Sequence, residues 1–308
     1  MNVSIIGSNG MLSVALAKYY NAKKGVTVDV YGLDTPKDYK CNNYYQVNLL
    51  KDKLDYDKLV ASDVIVYASG AGVQAAFQTD ASMMYALNVD TPIEMTLQLK
   101  KFNYKGIYVS FGSYMEIGLN GEDGKAFTED EVICSTLPVT NDYCLSKRLY
   151  GRYMKDFSAE FTFYHFILPN MFSEDDLKPG TRLVPYTLQY LQDYNDGKSP
   201  HEPSFSAGLQ TRQFITLEEM IQVVDKAVCK HIASGVYNIG GGEFLSIRHL
   251  IERLFAIYNV PCKDEFFGHE VRRDGDIKSL RIDGSKLMKE LGDLPNAKIE
   301  DIFKICTL

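Results

Sequence analysis

The stretch at residues 3–16, VSIIGSNGMLSVAL, decides the fold. Its first four residues are typical of a buried strand, and the pattern from Met11 onward is typical of an amphipathic helix. Gly7 permits a tight turn between the two, and Gly10 lets the backbone approach a pyrophosphate at the partly positive helix N-terminus. The stretch therefore predicts a dinucleotide-binding loop, with cofactor contacts at Gly7, Asn9, Gly10, Met11 and Leu12.

The third small position of this loop is Ser13, where a glycine or an alanine is usual. A serine still lets the helix and the strand pack closely, although less intimately. An ordinary strand-to-helix turn is the alternative interpretation of two glycines, and the segments that follow argue against it.

Short and long apolar segments alternate through the first half of the chain. Short β-branched runs predict buried strands at residues 3–6, 26–31, 64–67, 106–110 and 162–168. Helical patterns lie between them, at 11–23, 57–60, 81–101 and 142–157. This order predicts an α/β fold with a Rossmann-type, doubly wound parallel sheet, in which ligands bind beyond the carboxyl ends of the strands.

The alternation ends after Leu168, where polar and turn-rich segments begin. A helix at 217–231 and a strand at 235–239 are predicted to return to the first domain. We expect an NAD(P)-binding Rossmann domain over residues 1–170 and about 215–240. A smaller C-terminal α/β substrate-binding lobe is expected over about 171–214 and 241–308.

Composition and charge exclude several classes of protein. The 308 residues are 45% hydrophobic and 24% charged, which is unlike disordered or fibrous chains. A net charge of −7 argues against a surface for nucleic acid, and no apolar run approaches the roughly 20 residues that cross a bilayer. We expect neither nucleic acid nor a membrane as a partner.

The six cysteines are scattered, without a C-x-x-C pair or a histidine at metal-ligand spacing. They predict reduced thiols and no metal site. The N-terminus runs directly into a strand, without the basic region and cleavage site of a secretory signal. These features together predict a cytoplasmic location.

Asp34 follows the second predicted strand, close to the dinucleotide loop. A carboxylate there accepts hydrogen bonds from both hydroxyls of the adenosine ribose and repels a 2′-phosphate, so it favours NAD over NADP. An aspartate that caps a loop turn is the alternative. Lys37 and Lys40 follow closely enough to leave NADP open.

Residues 143–147, YCLSK, lie on a predicted helix and place Tyr143 and Lys147 one turn apart on the same face. A free tyrosine has a pKa near ~10 and is a poor base at neutral pH, whereas a neighbouring ammonium group stabilises its phenolate. A surface pair is the alternative, and the dinucleotide loop upstream favours a catalytic one.

These motifs together resemble the NAD-dependent epimerase/dehydratase family of extended short-chain dehydrogenases/reductases, which acts mainly on nucleotide-activated sugars. The resemblance spans nearly the whole chain and includes Asn88, like the family's helix asparagine. Residues 108–118, YVSFGSYMEIG, resemble its fourth-strand motif, whose catalytic hydroxyl lies five residues before the final glycine. The resemblance implies a catalytic triad of Ser113, Tyr143 and Lys147.

The same resemblance implies the remaining contacts. Further cofactor contacts are expected at Asn48, Leu49, Ala68 and Ser69, with Asn48 where the family often has an adenine-contacting aspartate. Substrate contacts are expected at Ser113, Tyr114, Asn170, Arg182, Leu183, Arg212 and Arg273. The two arginines Arg212 and Arg273 are expected to clamp the diphosphate, which a guanidinium fork suits.

Departures from the family pattern narrow the reaction. The 4,6-dehydratases have Asp and Glu after the catalytic hydroxyl, where this chain has Tyr114 and Met115; Glu116 serves in that role only if the register slips. The Cys and His of the GDP-fucose synthase branch are also missing, so epimerisation at C3 or C5 is poorly supported. His165 and Cys144 are interpreted as packing residues.

We therefore predict hydride transfer at C4 of a nucleotide-linked hexose or deoxyhexose. Reduction of a 4-keto sugar is favoured because the G-x-N-G-M-L opening resembles deoxysugar 4-ketoreductases, while Asp34 favours a 4-epimerase that retains NAD. A non-catalytic dinucleotide sensor is the third alternative. The resemblance also implies a homodimer through the helices at 81–101 and 142–157.

Overall fold

The computed structural model describes residues 1–72, 80–272 and 277–303. Its strands, in chain order, are β1 (Asn2–Ile6), β2 (Thr27–Gly32), β3 (Asn43–Gln46), β4 (Val64–Tyr67), β5 (Ile107–Ser113), β6 (Thr162–Leu168), β7 (Asn170–Phe172), β8 (Thr211–Thr216), β9 (Gly235–Asn238), β10 (Glu243–Ser246) and β11 (Ser279–Leu280). The sequence analysis did not predict β3, nor four strands in the second half of the chain, β7, β8, β10 and β11.

The α-helices, in chain order, are α1 (Met11–Asn21), α2 (Tyr56–Leu59), α3 (Ala81–Tyr85), α4 (Thr91–Lys101), α5 (Glu129–Ile133), α6 (Asp142–Asp156), α7 (Leu183–Asn195), α8 (Leu217–Lys230), α9 (Ile247–Ile257), α10 (Ser285–Leu291) and α11 (Ile299–Phe303). Three 3₁₀ turns lie at Tyr114–Ile117, Glu174–Leu177 and Asp264–Phe266, and a π-helical segment lies at Ala86–Asp90. In the described part of the chain, no helix is both long and apolar enough to span a bilayer.

Seven of the described strands form one parallel sheet in the order β3-β2-β1-β4-β5-β6-β9. Alternate strand residues point to opposite faces, so each face has its own core. One core packs against α1, α8 and α10, and the other against α2, α4, α5 and α6. The predicted α/β, Rossmann-type fold is confirmed. The strand order reverses between β1 and β4, where such sheets bind ligands.

The second sheet is built on β8, which pairs with β10 on one side and with β7 and β11 on the other. With α7, α9 and α11 it encloses a third apolar core. Helix α10 packs against the main sheet and not against the second one, because Leu287 and Leu291 lie in the core under α8 and β9. The predicted division of the chain into two domains stays a prediction.

The predicted helix at 81–101 is interrupted by the π-helical segment. Pro92 lacks the N–H that would bond the carbonyl of Asn88 in a regular helix. The N–H of Thr91 donates to the carbonyl oxygen of Ala86, five residues earlier, and the Thr91 hydroxyl donates to the same oxygen at 2.8 Å. A wider turn results, and such turns occur often at functional sites.

Candidate active site

The glycine-rich loop leads from β1 into α1 at the carboxyl edge of the main sheet. Gly7 has a φ of 118°, and a Cβ atom there would lie 2.8 Å from Ser13 Oγ and 3.1 Å from the nitrogen of Ser69. Backbone conformation and packing therefore both require glycine at position 7. Ser13 is fully buried, which accounts for a small residue at the third position.

Gly10, the residue that precedes α1, is different. Its φ of −73° suits any residue, and a Cβ atom there would make only ordinary contacts, 3.6 Å from Ser13 Oγ. Among the described residues, no side chain caps the first turn of α1. An exposed, uncapped helix N-terminus without a Cβ in front of it fits a phosphate group, as a dinucleotide would place there.

Asn9 joins this loop to the segment that follows β2. Its Nδ2 donates to the carbonyl oxygens of Asp34 at 3.3 Å and Thr35 at 3.1 Å, and its Oδ1 accepts from the N–H of Lys37 at 3.2 Å. The Asp34 side chain is exposed beside the loop. Asn9 thus shapes the rim on which Asp34 lies, and direct cofactor contacts of both residues stay predictions.

The other predicted cofactor residues lie at the same edge. Asn48 and Leu49 are half-buried just after β3, and the Oδ1 of Asn48 accepts from the N–H of Leu50 at 3.0 Å. Ala68 and Ser69 follow β4, and the N–H of Ala68 donates to the carbonyl of Ile6 at 2.9 Å. The exposed Met11 and half-buried Leu12 begin α1. Their contacts with a dinucleotide stay predictions.

Ser113 is the last residue of β5, which continues three residues beyond its predicted end. Its hydroxyl accepts from the N–H of Met115 at 3.3 Å, and its own N–H donates to Glu116 Oε1 at 2.6 Å. These two hydrogen bonds form a capping box around the 3₁₀ turn at Tyr114–Ile117. The turn fixes the Ser113 side chain at the carboxyl edge of the sheet.

Tyr143 lies in the first turn of α6 and Lys147 one turn later. Burial raises the pKa of Tyr143, a hydrogen bond with the Ser113 side chain lowers it, and the charge of Glu116 raises it. Burial lowers the pKa of Lys147 to about 8, and its Nζ donates to the carbonyl of Phe111 at 3.1 Å. Tyr143 and Ser113 are therefore neighbours. The lowering of the Tyr143 pKa by Lys147 stays a prediction for the protein with its cofactor bound.

Asn88 ties α6 to the loop after β4. Its Nδ2 donates to Ser146 Oγ and to the carbonyl of Ala71, both at 3.0 Å, and its Oδ1 accepts from the N–H of Ala71 at 3.0 Å. Ser146 Oγ in turn donates to the carbonyl of Tyr143 at 2.8 Å. The π-helical segment thus presents a buried asparagine that holds the helix of Tyr143 and Lys147.

Arg148 also holds this helix in place, and the sequence analysis missed it. It is 5% exposed, and its guanidinium donates to the carbonyls of Glu116 at 2.6 Å, Leu137 at 2.7 Å and Ile117 at 3.1 Å. Its position directly after Lys147 was the available signal, since a charged residue next to a catalytic one on a half-buried helix needs partners.

The predicted substrate residues are more dispersed. Asn170 begins β7 and is half-buried, Leu183 begins α7, and Tyr114 is only 2% exposed in the core below Ser113. Arg182 forms an ion pair with the buried Asp176. Their contacts with a substrate stay predictions.

Arg212 is 3% exposed, and its guanidinium donates to the carbonyls of Thr211 at 2.7 Å and Ile277 at 3.1 Å. It is therefore held within the second sheet. Arg273 lies outside the described residues, so the predicted arginine clamp stays a prediction.

The model of the NAD dependent epimerase/dehydratase family matches residues 3–240. The chain therefore belongs to this family. A curated relative, the dTDP-glucose 4,6-dehydratase of Streptomyces griseus, is 23% identical over 120 residues. That match covers 39% of this chain and 34% of the relative's length.

Solved structures of similar proteins share the fold over nearly the whole chain. WbmG of Bordetella bronchiseptica in complex with NAD has a TM-score of 0.73 at 18% identity, covering 100% of this chain and 92% of its own. The dTDP-glucose 4,6-dehydratase DesIV of Streptomyces venezuelae, with NAD and TYD bound, has a TM-score of 0.75 at 18% identity, with coverage of 100% and 96%. The UDP-glucuronic acid 4-epimerase of Bacillus cereus, with UDP-glucuronic acid and NAD, has a TM-score of 0.73 at 20% identity, with coverage of 98% and 96%.

Proposed function

We propose that this protein catalyses NAD(P)-dependent hydride transfer at C4 of a nucleotide-activated sugar, in the direction of 4-keto sugar reduction. The observation that carries the proposal is the closeness of Ser113 and Tyr143, whose side chains interact strongly enough for Ser113 to lower the pKa of Tyr143, with Lys147 one helical turn away. All three lie at the carboxyl end of β5, and Tyr143 and Lys147 also lie close to Gly72 and Gly70 of the loop after β4.

The residues that would hold the cofactor are Gly7, Asn9, Gly10, Met11, Leu12, Asp34, Asn48, Leu49, Ala68, Ser69, Tyr143 and Lys147. The uncapped N-terminus of α1 fits the pyrophosphate, and the exposed Asp34 suits the adenosine ribose of NAD. Bound NAD(P)H would supply the hydride. The NAD-dependent family and the NAD complexes of WbmG and DesIV support NAD as the cofactor.

The protein's own residues would handle the proton. Tyr143 donates its phenolic proton to the C4 oxygen, and Ser113 hydrogen-bonds the same oxygen. Because burial raises the pKa of Tyr143, the phenol is protonated at neutral pH and suited to donate. The Lys147 ammonium would stabilise the phenolate that forms and hold the nicotinamide ribose. The substrate would be bound by Tyr114, Asn170, Arg182, Leu183, Arg212 and Arg273.

The side chains after Ser113 support reduction over dehydration. A 4,6-dehydratase needs a carboxylate pair there, whereas Tyr114 is buried and Met115 is apolar. Glu116 is 0% exposed and accepts from the N–H of Ser113, so its carboxylate faces the interior rather than a sugar. These features favour a reaction that needs only Ser113, Tyr143 and Lys147 over dehydration. The dehydratase among the similar structures shares the fold.

A 4-epimerase with tightly bound NAD is the second candidate. It uses the same three residues, and the exposed Asp34 and the likeness to UDP-glucuronic acid 4-epimerase favour it. A dinucleotide sensor is less favoured, because Tyr143 and Lys147 are both present.

Incubation with UDP-, dTDP-, GDP- and CDP-linked sugars and 4-keto sugars separates the candidates. Stoichiometric oxidation of NAD(P)H identifies a reductase, and inversion at C4 without net oxidation identifies an epimerase. Tyr143→Phe is expected to lower either activity by about a thousandfold or more. Tyr153→Phe, on the same helix, is the control, because its hydroxyl contacts Thr96. Full activity of Tyr143→Phe refutes the catalytic assignment.

We also propose a substrate lobe built on the second sheet and a homodimer through α4 and α6. Leu97 on α4 and Leu149 on α6 are 53% and 39% exposed, which suits a helical interface. Sedimentation of the wild-type protein and of Leu97→Glu tests the dimer.

A further inference from the structure

Glu116 is a buried carboxylic acid below the proposed catalytic residues. It is 0% exposed, its Oε1 accepts from the N–H of Ser113 at 2.6 Å, and its backbone carbonyl accepts from Arg148 Nε at 2.6 Å. One residue therefore contacts both the backbone of Ser113 and the side chain that follows Lys147.

Two glycines make room for this carboxyl group. A Cβ atom at Gly112 would lie 2.5 Å from Glu116 Oε1 and 2.8 Å from His165 Nε2. A Cβ atom at Gly151, on α6, would lie 2.9 Å from Glu116 Oε2. Glu116 and His165 thus fill the same space between β5, β6 and α6, at a place where the strand and the helix both lack side chains.

Two polar atoms in this space have no partner in the described part of the chain, namely Glu116 Oε2 and His165 Nε2. His165 is 0% exposed, and its Nδ1 is 2.9 Å from Ser110 Oγ. If Nδ1 carries the proton, Nε2 is an acceptor, and a protonated Glu116 is the donor that it lacks. A proton on Glu116 Oε2 therefore lets this atom donate a hydrogen bond to His165 Nε2, directly or through one enclosed water molecule, so that both atoms gain a partner.

We propose that Glu116 is a positioning residue for the reaction, which holds Ser113 through its backbone and controls the charge of Lys147 by gaining or losing a proton next to His165. The kinetic consequence rests on the proposed function; the electrostatic coupling does not. The titratable and charged groups that face Glu116 are His165 from β6 and, from α6, Tyr143, Cys144, Lys147 and Arg148.

The direction of the coupling follows from the charges. Burial raises the pKa of Glu116 to about 7, against the hydrogen bond from Ser113 and the charges of Lys147 and Arg148. Burial lowers the pKa of His165 to about 3, and the charge of Lys147 lowers it further, so the imidazole stays neutral. Above pH 7 the Glu116 carboxylate favours the Lys147 ammonium and the protonated Tyr143. Both are the forms that a 4-keto reduction requires.

The test is a ¹³C NMR titration of the full-length protein with lysine labelled at Cε, in which the Lys147 signal is identified by its loss in Lys147→Arg. In the wild type this signal is expected to show a second inflection near pH 7, where Glu116 titrates. Glu116→Gln keeps the acceptor for the Ser113 N–H, and it is expected to remove that inflection and to lower the Lys147 pKa by about 1.

Glu129→Gln is the matched control, because Glu129 also accepts a backbone N–H, that of Asn238 at 2.9 Å, and burial likewise raises its pKa. It is expected to leave the Lys147 titration unchanged. A single inflection for Lys147 in the wild type overturns the proposal, and so does an identical titration in Glu116→Gln. The wild-type measurement decides even if the variant does not fold.

The kinetic readout is the pH profile of kcat/KM. Glu116→Gln is expected to shift the alkaline limb of 4-keto reduction to lower pH, with KM for the sugar nearly unchanged. If no sugar is turned over by the wild type, the proposed function fails and the NMR titration still tests the coupling.

Discussion

Arg148 Nε lies 2.6 Å from the carbonyl oxygen of Glu116, so the residue after Lys147 is anchored to the turn that carries Ser113. Two further hydrogen bonds, to Leu137 and Ile117, complete the anchor. The guanidinium group of Arg148 thus fixes the position of Tyr143 and Lys147 on α6 relative to Ser113 on β5.

Replacement of that group is expected to misalign the catalytic residues. Arg148→Met removes the donor to the carbonyls of Glu116 and Leu137 and one of two donors to that of Ile117, which is expected to lower the free energy of unfolding by about 3 kcal/mol and kcat by about a hundredfold. Arg148→Lys is expected to recover part of both losses. Arg152 lies on the same helix as Arg148 and donates to the carbonyls of Ile133 and Ser135. Arg152→Met removes these bonds and is the control for stability alone. Equal kcat losses in the two Met variants contradict the anchoring role.

The two loop glycines are expected to respond differently to alanine. Gly7→Ala forces an unfavourable φ and a contact with Ser13, so it is expected to cost about 1–3 kcal/mol of stability. Gly10→Ala is expected to leave the melting temperature unchanged and to weaken NAD binding by about tenfold or more, because its Cβ blocks only a ligand. Calorimetric titration with NAD and thermal unfolding measure the two effects. Unaltered NAD affinity in Gly10→Ala argues against a phosphate at the α1 N-terminus.

Asp34 is expected to decide between the two dinucleotides. Asp34→Ala removes the carboxylate beside the loop, so NAD affinity is expected to fall by about tenfold and NADP affinity to rise relative to it. Asp38→Ala, also exposed in the same segment, serves as the control. A wild-type preference for NADP that Asp34→Ala does not change contradicts this role and points to Lys37 and Lys40.

Burial of Glu116 is expected to make stability pH-dependent. Its pKa is about 7 in the folded protein against 4.5 for the free group, so the folded state binds the proton more tightly. Stability from this group is then full below pH 4.5 and is lost as pH rises through 7. Relative to wild type, Glu116→Gln is expected to gain about 3 kcal/mol between pH 4 and pH 8. Urea unfolding at both pH values measures the difference, and parallel pH dependences would rule it out.

The sequence predicted the elements whose signals are local. The glycine-rich loop, the buried strands of the main sheet and the Tyr143/Lys147 spacing depend on residues a few positions apart, and the predicted fold is confirmed. Partners distant in the chain were missed. Arg148 was not interpreted, and the burial of Glu116 was not predicted, because it depends on Gly112 and Gly151.

Other errors have equally specific causes. The pattern at 81–101 is continuously helical, so it does not reveal the wider turn before Pro92, where Asn88 makes its buried contacts. Strand β3 has a half-exposed pattern, which hides it among loop residues. The diphosphate contact expected for Arg212 stays a prediction, and its hydrogen bond to the carbonyl of Ile277, 65 positions later, could not be predicted from local sequence.

The chain passes repeatedly between its two sheets. Only Pro169 separates β6 from β7, α8 follows β8 without a break, and four residues join β9 to β10. A donor lobe from another protein would therefore have to match several short junctions at once. Changes of substrate in such a protein are more accessible through side chains and surface loops than through exchange of whole modules.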